Sequence, residues 1–370
     1  MHGGDIYSEK IKYDFSISVN PLGFPSWAKG VLKNSIKKIS SYPDASCRTL
    51  LHRLSAFTGL APENLLLGNG ASELISAIIR ALGVQNALLF SPCFTGYKSA
   101  LEGAGAGIFY LPKALGLPLQ EESLPDQDWL KKNKIDLVIV TNPNNPDGAS
   151  AGKAALEKLS VICRNAGAFL LIDQCFMALS DNPENHFEIP PENTIILRAF
   201  TKTFAMPGLR LGWAYADAGL CRKIKNQLPE WNVSLPAQEA ASALLSDKKK
   251  LERYLEKARR LIKKERDYLS SGLKRLGFRV FESTGNFILF KAAQGALAGE
   301  GDLSPGKSSL YHQLKAKYKI LIRQCGDFEG LSTEYYRVCI KNHRENRHLL
   351  HSIKKNLENQ DKSGGKNGRN

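Results

Sequence analysis

The chain has 370 residues, 43% hydrophobic and 24% charged, which is enough apolar material for more than one small domain and too much for a disordered or fibrous protein. No apolar run approaches the roughly 20 residues of a membrane-spanning helix, and seven scattered cysteines without a C-x-x-C pair fit neither a disulfide framework nor a zinc site, so no metal is expected. The formal charge of +15 raises the question of nucleic acid, but much of the excess lies in helical-looking tracts around 248–264, interleaved with Glu252, Glu256 and Glu265, the pattern of a solvated face.

The opening Met1-His2-Gly3-Gly4-Asp5 has no basic stretch followed by an apolar one, so no secretory signal is read and a cytoplasmic location is expected. Six short apolar segments, 86–90, 108–111, 135–140, 169–173, 194–200 and 210–216, read as strands buried on both faces. Helical patterns at 72–82 and 153–166 lie between them, closed by Gly83 and Gly167. Strands alternating with helices predict a mostly parallel α/β sheet. After Pro236 the pattern changes to a long helical tract, 237–276, then strand-like 278–282, 286–291, 320–324 and 335–341, and a closing helix at 343–357. This second unit is a smaller α+β domain, with a surface loop expected at 298–308.

The chemistry-bearing residues cluster where these elements end. Gly68-Asn69-Gly70-Ala71-Ser72-Glu73 leads into a helix. Glycines that allow close backbone approach at a helix N-terminus make an anion site from free amides and the helix dipole, although a plain capped turn reads the same way. The run Thr141-Asn142-Pro143-Asn144-Asn145-Pro146-Asp147-Gly148 is a turn at the carboxyl end of a strand, where open α/β sheets place ligands. Asp173 ends another apolar strand; burying it unpaired is expensive, so it needs a cationic partner or else serves as a helix N-cap. Lys202 follows an apolar strand in a segment with few other charges. Desolvation and a neighbouring cation, Arg210, both favour the neutral, nucleophilic amine that a Schiff-base lysine needs. Arg210 offers a bidentate grip to a phosphate, with Thr201 adding a hydroxyl. Arg337, in the alternating strand at 335–341, can hold a carboxylate in two parallel hydrogen bonds or simply be salt-bridged at the surface.

The segment 198–212 resembles the lysine signature of the class I/II aminotransferase group of fold type I pyridoxal-phosphate enzymes. The resemblance implies that Lys202 forms the internal aldimine with pyridoxal 5'-phosphate, and that Arg210 binds the cofactor phosphate with Gly70, Ala71, Ser72 and Thr201. Asp173 would face the pyridine nitrogen and Asn145 the ring oxygen, while Phe94, otherwise ordinary core, would stack on the ring. Tyr42 would reach the phosphate of a neighbouring subunit, which makes a homodimer with shared sites, and Arg337 would hold the substrate α-carboxylate. The implied architecture is a large domain at 41–240 with a mostly parallel seven-stranded sheet, a small domain at 241–358, an N-terminal segment at 1–40 packing with the small domain, and a disordered tail at 359–370. Three positions depart from the group's usual pattern: Ala199 replaces a hydroxyl residue, Asp147 a threonine, and Phe176 a tyrosine that would hydrogen-bond the ring oxygen.

His2-Gly3-Gly4, the run from Asp14 to Gly23, and Ile320 to Cys325 resemble the threonine-phosphate decarboxylase family of cobamide biosynthesis, with histidinol-phosphate aminotransferases as the alternative. That likeness implies decarboxylation of an O-phosphorylated amino acid, derived from threonine or serine. His2, Asn20, Asn145, Arg323 and Arg337 are the candidates for binding the substrate; a mobile terminus and a salt-bridged arginine are the plain readings of His2 and Arg323. Neither nucleic acid nor a membrane is expected as a partner.

Overall fold

A computed structural model of the protein describes residues 3–183, 187–188, 190–292 and 309–364, with side chains to 359. In chain order its strands are β1 (Tyr13–Asp14), β2 (Leu65–Gly68), β3 (Asn86–Ser91), β4 (Gly107–Pro112), β5 (Leu137–Thr141), β6 (Phe169–Asp173), β7 (Thr194–Ala199), β8 (Gly212–Tyr215), β9 (Arg279–Val280), β10 (Phe287–Lys291), β11 (Ile320–Leu321), β12 (Arg323–Gln324) and β13 (Tyr335–Cys339). Seven of them form one sheet in the order β2-β8-β7-β6-β5-β3-β4. Strand β8 runs antiparallel to both its neighbours, and the other pairings are parallel. A four-stranded antiparallel sheet, β12-β13-β10-β9, and the parallel pair β1-β11 complete the framework.

The apolar runs are unbroken because the large sheet is covered on both sides. Leu88, Phe90, Val138, Val140, Leu170 and Ile172 face one core, and Ala87, Leu89, Leu137, Ile139 and Leu171 face the other, the period-two alternation of a pleated strand. Helices Ala71–Leu82 and Lys153–Ala166 end on Gly83 (φ 65°) and Gly167 (φ 77°), left-handed positions that cost glycine nothing. A third core, with Phe15, Ile288, Phe290 and Val338, lies under the smaller sheet.

Four differences from the sequence expectation have local causes. The tract 237–276 is two helices, Leu235–Leu244 and Lys248–Arg275, because the Asp247 side chain accepts the Lys250 N–H at 3.0 Å and starts the second one. The stretch 320–324 changes partner midway: β11 pairs with β1, and β12 with β13. Phe200 leaves the strand to begin a single helical turn, Phe200–Thr203. The closing helix continues to Gly364, beyond the expected end at 357. The first 40 residues divide between two places: Tyr13 and Asp14 join β11, whereas helix Ser26–Ser35 packs against Leu235–Leu244. Residues 298–308, His2 and 365–370 lie outside the described residues.

Candidate active site

Parallel strands put their carboxyl ends on one edge of the sheet, so the turns after β3, β5, β6 and β7 meet there. Because β8 runs the other way, its beginning falls on that same edge, with Gly212 opposite Gly68. This register explains how residues 70 and 210 come together. A Cβ on Gly212 would collide with the backbone of Gly70 and Ala71, and a Cβ on Gly70 (φ +82°) with the Arg210 guanidinium. Two glycines thus bring the start of helix Ala71–Leu82 against Arg210, which itself adopts φ 53°. The helix start has no side-chain cap on Gly70, so its first amides are available to an anion.

A cavity of about 210 Å³ opens at this edge. Lys202 and Thr201 line it from the turn after β7, Asp173 and Phe176 from the end of β6, Asn145 from the turn after β5, and Phe94 from the turn after β3. Ala71, Ser72 and Arg210 line it at the uncapped helix start, and Ala199, without a hydroxyl, lines it too. Burial lowers the Lys202 amine to about 8, assisted by the positive charges of Arg337 and Arg210. Burial pushes the Asp173 carboxyl upward, opposed by hydrogen bonds from Cys175 and Tyr97. Phe176 packs edge-on against Phe287 at 4.9 Å, and the Lys202 Nζ lies 5.9 Å from its ring.

The opposite wall comes from the small sheet. Arg323 and Arg337 are cross-strand neighbours on β12 and β13, and both are buried. Arg323 donates from Nη2 to both oxygens of Asp327 at 2.7 Å, and burial, which would raise that carboxyl, is outweighed by the guanidinium, leaving it below the usual range. Arg337 donates to the Asn145 Oδ1 and, at 2.8 Å, to the Ser16 carbonyl; both acceptors are neutral, and its Nε has no hydrogen-bond partner among the described residues.

Two sequence candidates stand elsewhere. Asn20 is buried outside the cavity lining with both ends of its side chain engaged: Nδ2 donates to the Thr203 carbonyl at 2.9 Å and Oδ1 accepts the Leu22 N–H at 3.0 Å, while its own N–H binds the Lys202 carbonyl at 3.0 Å. It braces the lysine turn. Tyr42 is 80% exposed, its ring 4.8 Å from Trp231 and outside the cavity of the single chain. The unusual Asp147 is fully buried and ion-paired with Lys113 at 2.5 Å; it also accepts from Gly116 N and Asn144 Nδ2. It therefore ties the Asn145 turn to the chain after β4. Sequence reasoning missed Tyr97, whose hydroxyl donates to Asp173 at 2.6 Å, and the cavity-lining Ser18 and Phe328. A tyrosine one helical turn after Phe94 was the available signal for the first.

Lysine, carboxylate and anion cradle on the carboxyl edge of this sheet suit a phosphorylated pyridine aldehyde, and they define a pyridoxal-phosphate-dependent enzyme of the aminotransferase fold. The model of the class I and II aminotransferases matches residues 10–353, and the chain belongs to that family. It is 32% identical over 366 residues to an adenosylcobalamin biosynthesis bifunctional protein of Leptospira interrogans, covering 94% of this chain but only 40% of that protein. It is 28% identical over 381 residues to the threonine-phosphate decarboxylase of Salmonella typhimurium, covering 95% of each. The crystal structure of the histidinol-phosphate aminotransferase from Clostridium acetobutylicum superposes with a TM-score of 0.78 at 30% identity, covering 94% of this chain and 100% of that one.

Proposed function

We propose that the chain is a pyridoxal-phosphate-dependent carboxy-lyase that removes the α-carboxylate of an O-phosphorylated amino acid. Its substrate would be L-threonine O-3-phosphate, giving (R)-1-aminopropan-2-yl phosphate, or L-serine O-phosphate, giving ethanolamine phosphate. The observation that carries this reading is a buried cation on the small-sheet wall: among the described residues Arg337 meets only neutral acceptors, beside the Arg323–Asp327 ion pair. A substrate carboxylate supplies the charge missing at Arg337, and a substrate phosphate can share Arg323 with Asp327. The relatives from cobalamin biosynthesis and the Salmonella decarboxylase support the direction of the chemistry.

In this reading Ala71, Ser72, Thr201 and Arg210 hold the cofactor phosphate, with Gly70 allowing the close approach and Tyr42 reaching over from a second subunit of a homodimer. Asp173 faces the ring nitrogen, Asn145 the ring oxygen, and Phe94 the ring face. When bound, pyridoxal 5'-phosphate supplies an electron sink for the pair left behind as a bond at the substrate Cα breaks. Lys202 provides the neutral amine that would carry the cofactor, gives way to the substrate amine while taking up a proton which that amine sheds, and returns the proton to Cα once carbon dioxide has left. Arg337 grips the carboxylate and Arg323 the phosphate. Between them they set the rotation about Cα, and that rotation selects which bond breaks.

A second reading, transamination of a phosphorylated substrate, is favoured by the likeness to the Clostridium aminotransferase. Purified protein mixed with threonine phosphate or serine phosphate separates the two. Carbon dioxide and an amino-alcohol phosphate are expected without any keto acid; loss of the amine that requires a keto acid and releases no carbon dioxide would overturn the proposal.

A further inference from the structure

We infer that Tyr97 is a positioning residue that fixes Asp173 as an anion, so that the proton of a cationic ring nitrogen held in the cavity stays on that nitrogen. The inference rests on the cofactor reading above, but its support is the hydrogen-bond arithmetic around one carboxylate. Tyr97 lies in helix Thr95–Gly103, is fully buried, and sits edge-on to Phe94 at 5.4 Å. Its hydroxyl is 2.6 Å from the Asp173 Oδ2 and 3.0 Å from the Thr141 Oγ1. The other oxygen, Oδ1, accepts the backbone N–H of Cys175 at 2.9 Å.

A backbone N–H only donates, and so does the phenol in this arrangement, so each oxygen of Asp173 faces a donor, which favours the carboxylate over the protonated acid. A phenol has one hydrogen. If it goes to Asp173, the Thr141 hydroxyl must donate to Tyr97, and the chain runs one way: Thr141 to Tyr97 to Asp173. Such directed chains strengthen link by link in a low-dielectric interior. Tyr97 keeps its own proton, since burial and the adjacent carboxylate push the phenol well above its ordinary value. The groups facing Asp173 are Tyr97 from its helix, Thr141 from β5, Cys175 after β6, and Lys202 from the turn after β7. Lys202 is the one that can be cationic, and it is the amine the reaction requires neutral. Cys175, through its thiol and its N–H, and the phenol donor therefore together offset the cost of burying the charge. Without the phenol, the buried carboxylate loses its donor at Oδ2, and the proton shared with a ring nitrogen moves towards the carboxylate.

The test uses the full-length protein loaded with pyridoxal 5'-phosphate labelled with ¹⁵N in the ring. In the unaltered protein at neutral pH the nitrogen resonance is expected at the protonated position. Tyr97→Phe keeps the ring and its packing; it should move the resonance most of the way to the unprotonated position and weaken cofactor binding by at least about tenfold. Thr141→Val, which leaves the phenol in place, should move it a smaller part of the way in the same direction, and it carries the test if the first variant melts early. A resonance unmoved in both variants overturns this inference alone. A protein that shows no Lys202-dependent visible absorbance with the cofactor overturns the functional reading and this inference together.

Discussion

The two walls of the cavity are built differently. On the wall from the large sheet, the carboxylates are already held by the protein, Asp173 by Tyr97 and Cys175 and Asp147 by Lys113 and three further donors, and Asn20 braces the backbone of the lysine turn, while the first amides of helix Ala71–Leu82 stay open to an anion. On the wall from the small sheet a buried guanidinium has, among the described residues, an unpartnered Nε and neutral acceptors. A wall whose carboxylates are already held suits a resident group that must be kept in one orientation. A wall short of negative charge suits a substrate that comes and goes, because the deficit is relieved only while an anion is bound.

The largest effect belongs to the first wall. Lys202→Ala should remove the visible absorbance of the cofactor-loaded protein and lower turnover by about 10²–10⁴-fold or more, measured as carbon dioxide release. The wall's support can be broken without touching the chemistry. Asp147→Asn leaves Lys113 buried without its counter-charge and should cost about 3–5 kcal/mol in denaturant unfolding, whereas Asp147→Thr combined with Lys113→Met should recover most of that loss. An equal loss in the double variant would show that the pair is not what holds the Asn145 turn.

The second wall should answer in substrate affinity. Arg337→Gln removes a charge-assisted grip worth about 1.5–3 kcal/mol, a rise in KM of about 10- to 200-fold, with a smaller change in cofactor binding. The same substitution links the two walls. The Lys202 amine stands at about 8 because of burial and then the charge of Arg337. Cofactor uptake by the empty protein should therefore rise with pH and level off above about 8, and Arg337→Gln should move that midpoint upward. The same lowering has a folding consequence. The unfolded chain, with its lysine near 10.5, holds the proton more tightly, so this residue favours the folded state increasingly as pH climbs from about 8 towards 10.5.

The difference between the walls also accounts for what the sequence could tell. Asp173, Asn145 and Lys202 are each announced by a local event, the end of an apolar strand, and parallel topology then brings such ends together without further information. Arg337 is visible as a residue in a strand, but its acceptors come from Asn145 and Ser16, 192 and 321 residues away, and no local pattern reports such a meeting. Tyr97 was hidden for a related reason: it reaches Asp173 from the side of a helix that looks like core packing. Asn20 misled in the opposite sense, since a polar residue in a motif invites a ligand role, while its side chain is spent on bracing backbone. The break at Asp247 was legible, as an aspartate with its acceptor one turn before Lys250, but the apolar period on either side masked it.

The smallest expected effect tests whether the first wall is complete. Ala199 ends β7, is 5% exposed and lines the same cavity as the anion cradle, at a position where the family resemblance leads one to expect a hydroxyl. Ala199→Ser adds one oxygen beside Thr201 and Arg210 with little change in volume. If the cradle holds the cofactor phosphate, the new donor should tighten cofactor binding by about 2- to 10-fold, the range of one net hydrogen bond of 0.5–1.5 kcal/mol, read by equilibrium dialysis. The effect should be confined to the phosphate end: affinity for pyridoxal without its phosphate stays unchanged, and so does KM for the substrate. Equal tightening of pyridoxal would mean that the serine acts on the ring end of the cavity. Weaker binding of both would mean that the site was already packed to its limit, and that the missing hydroxyl is a condition of this wall's fit rather than a gap in it.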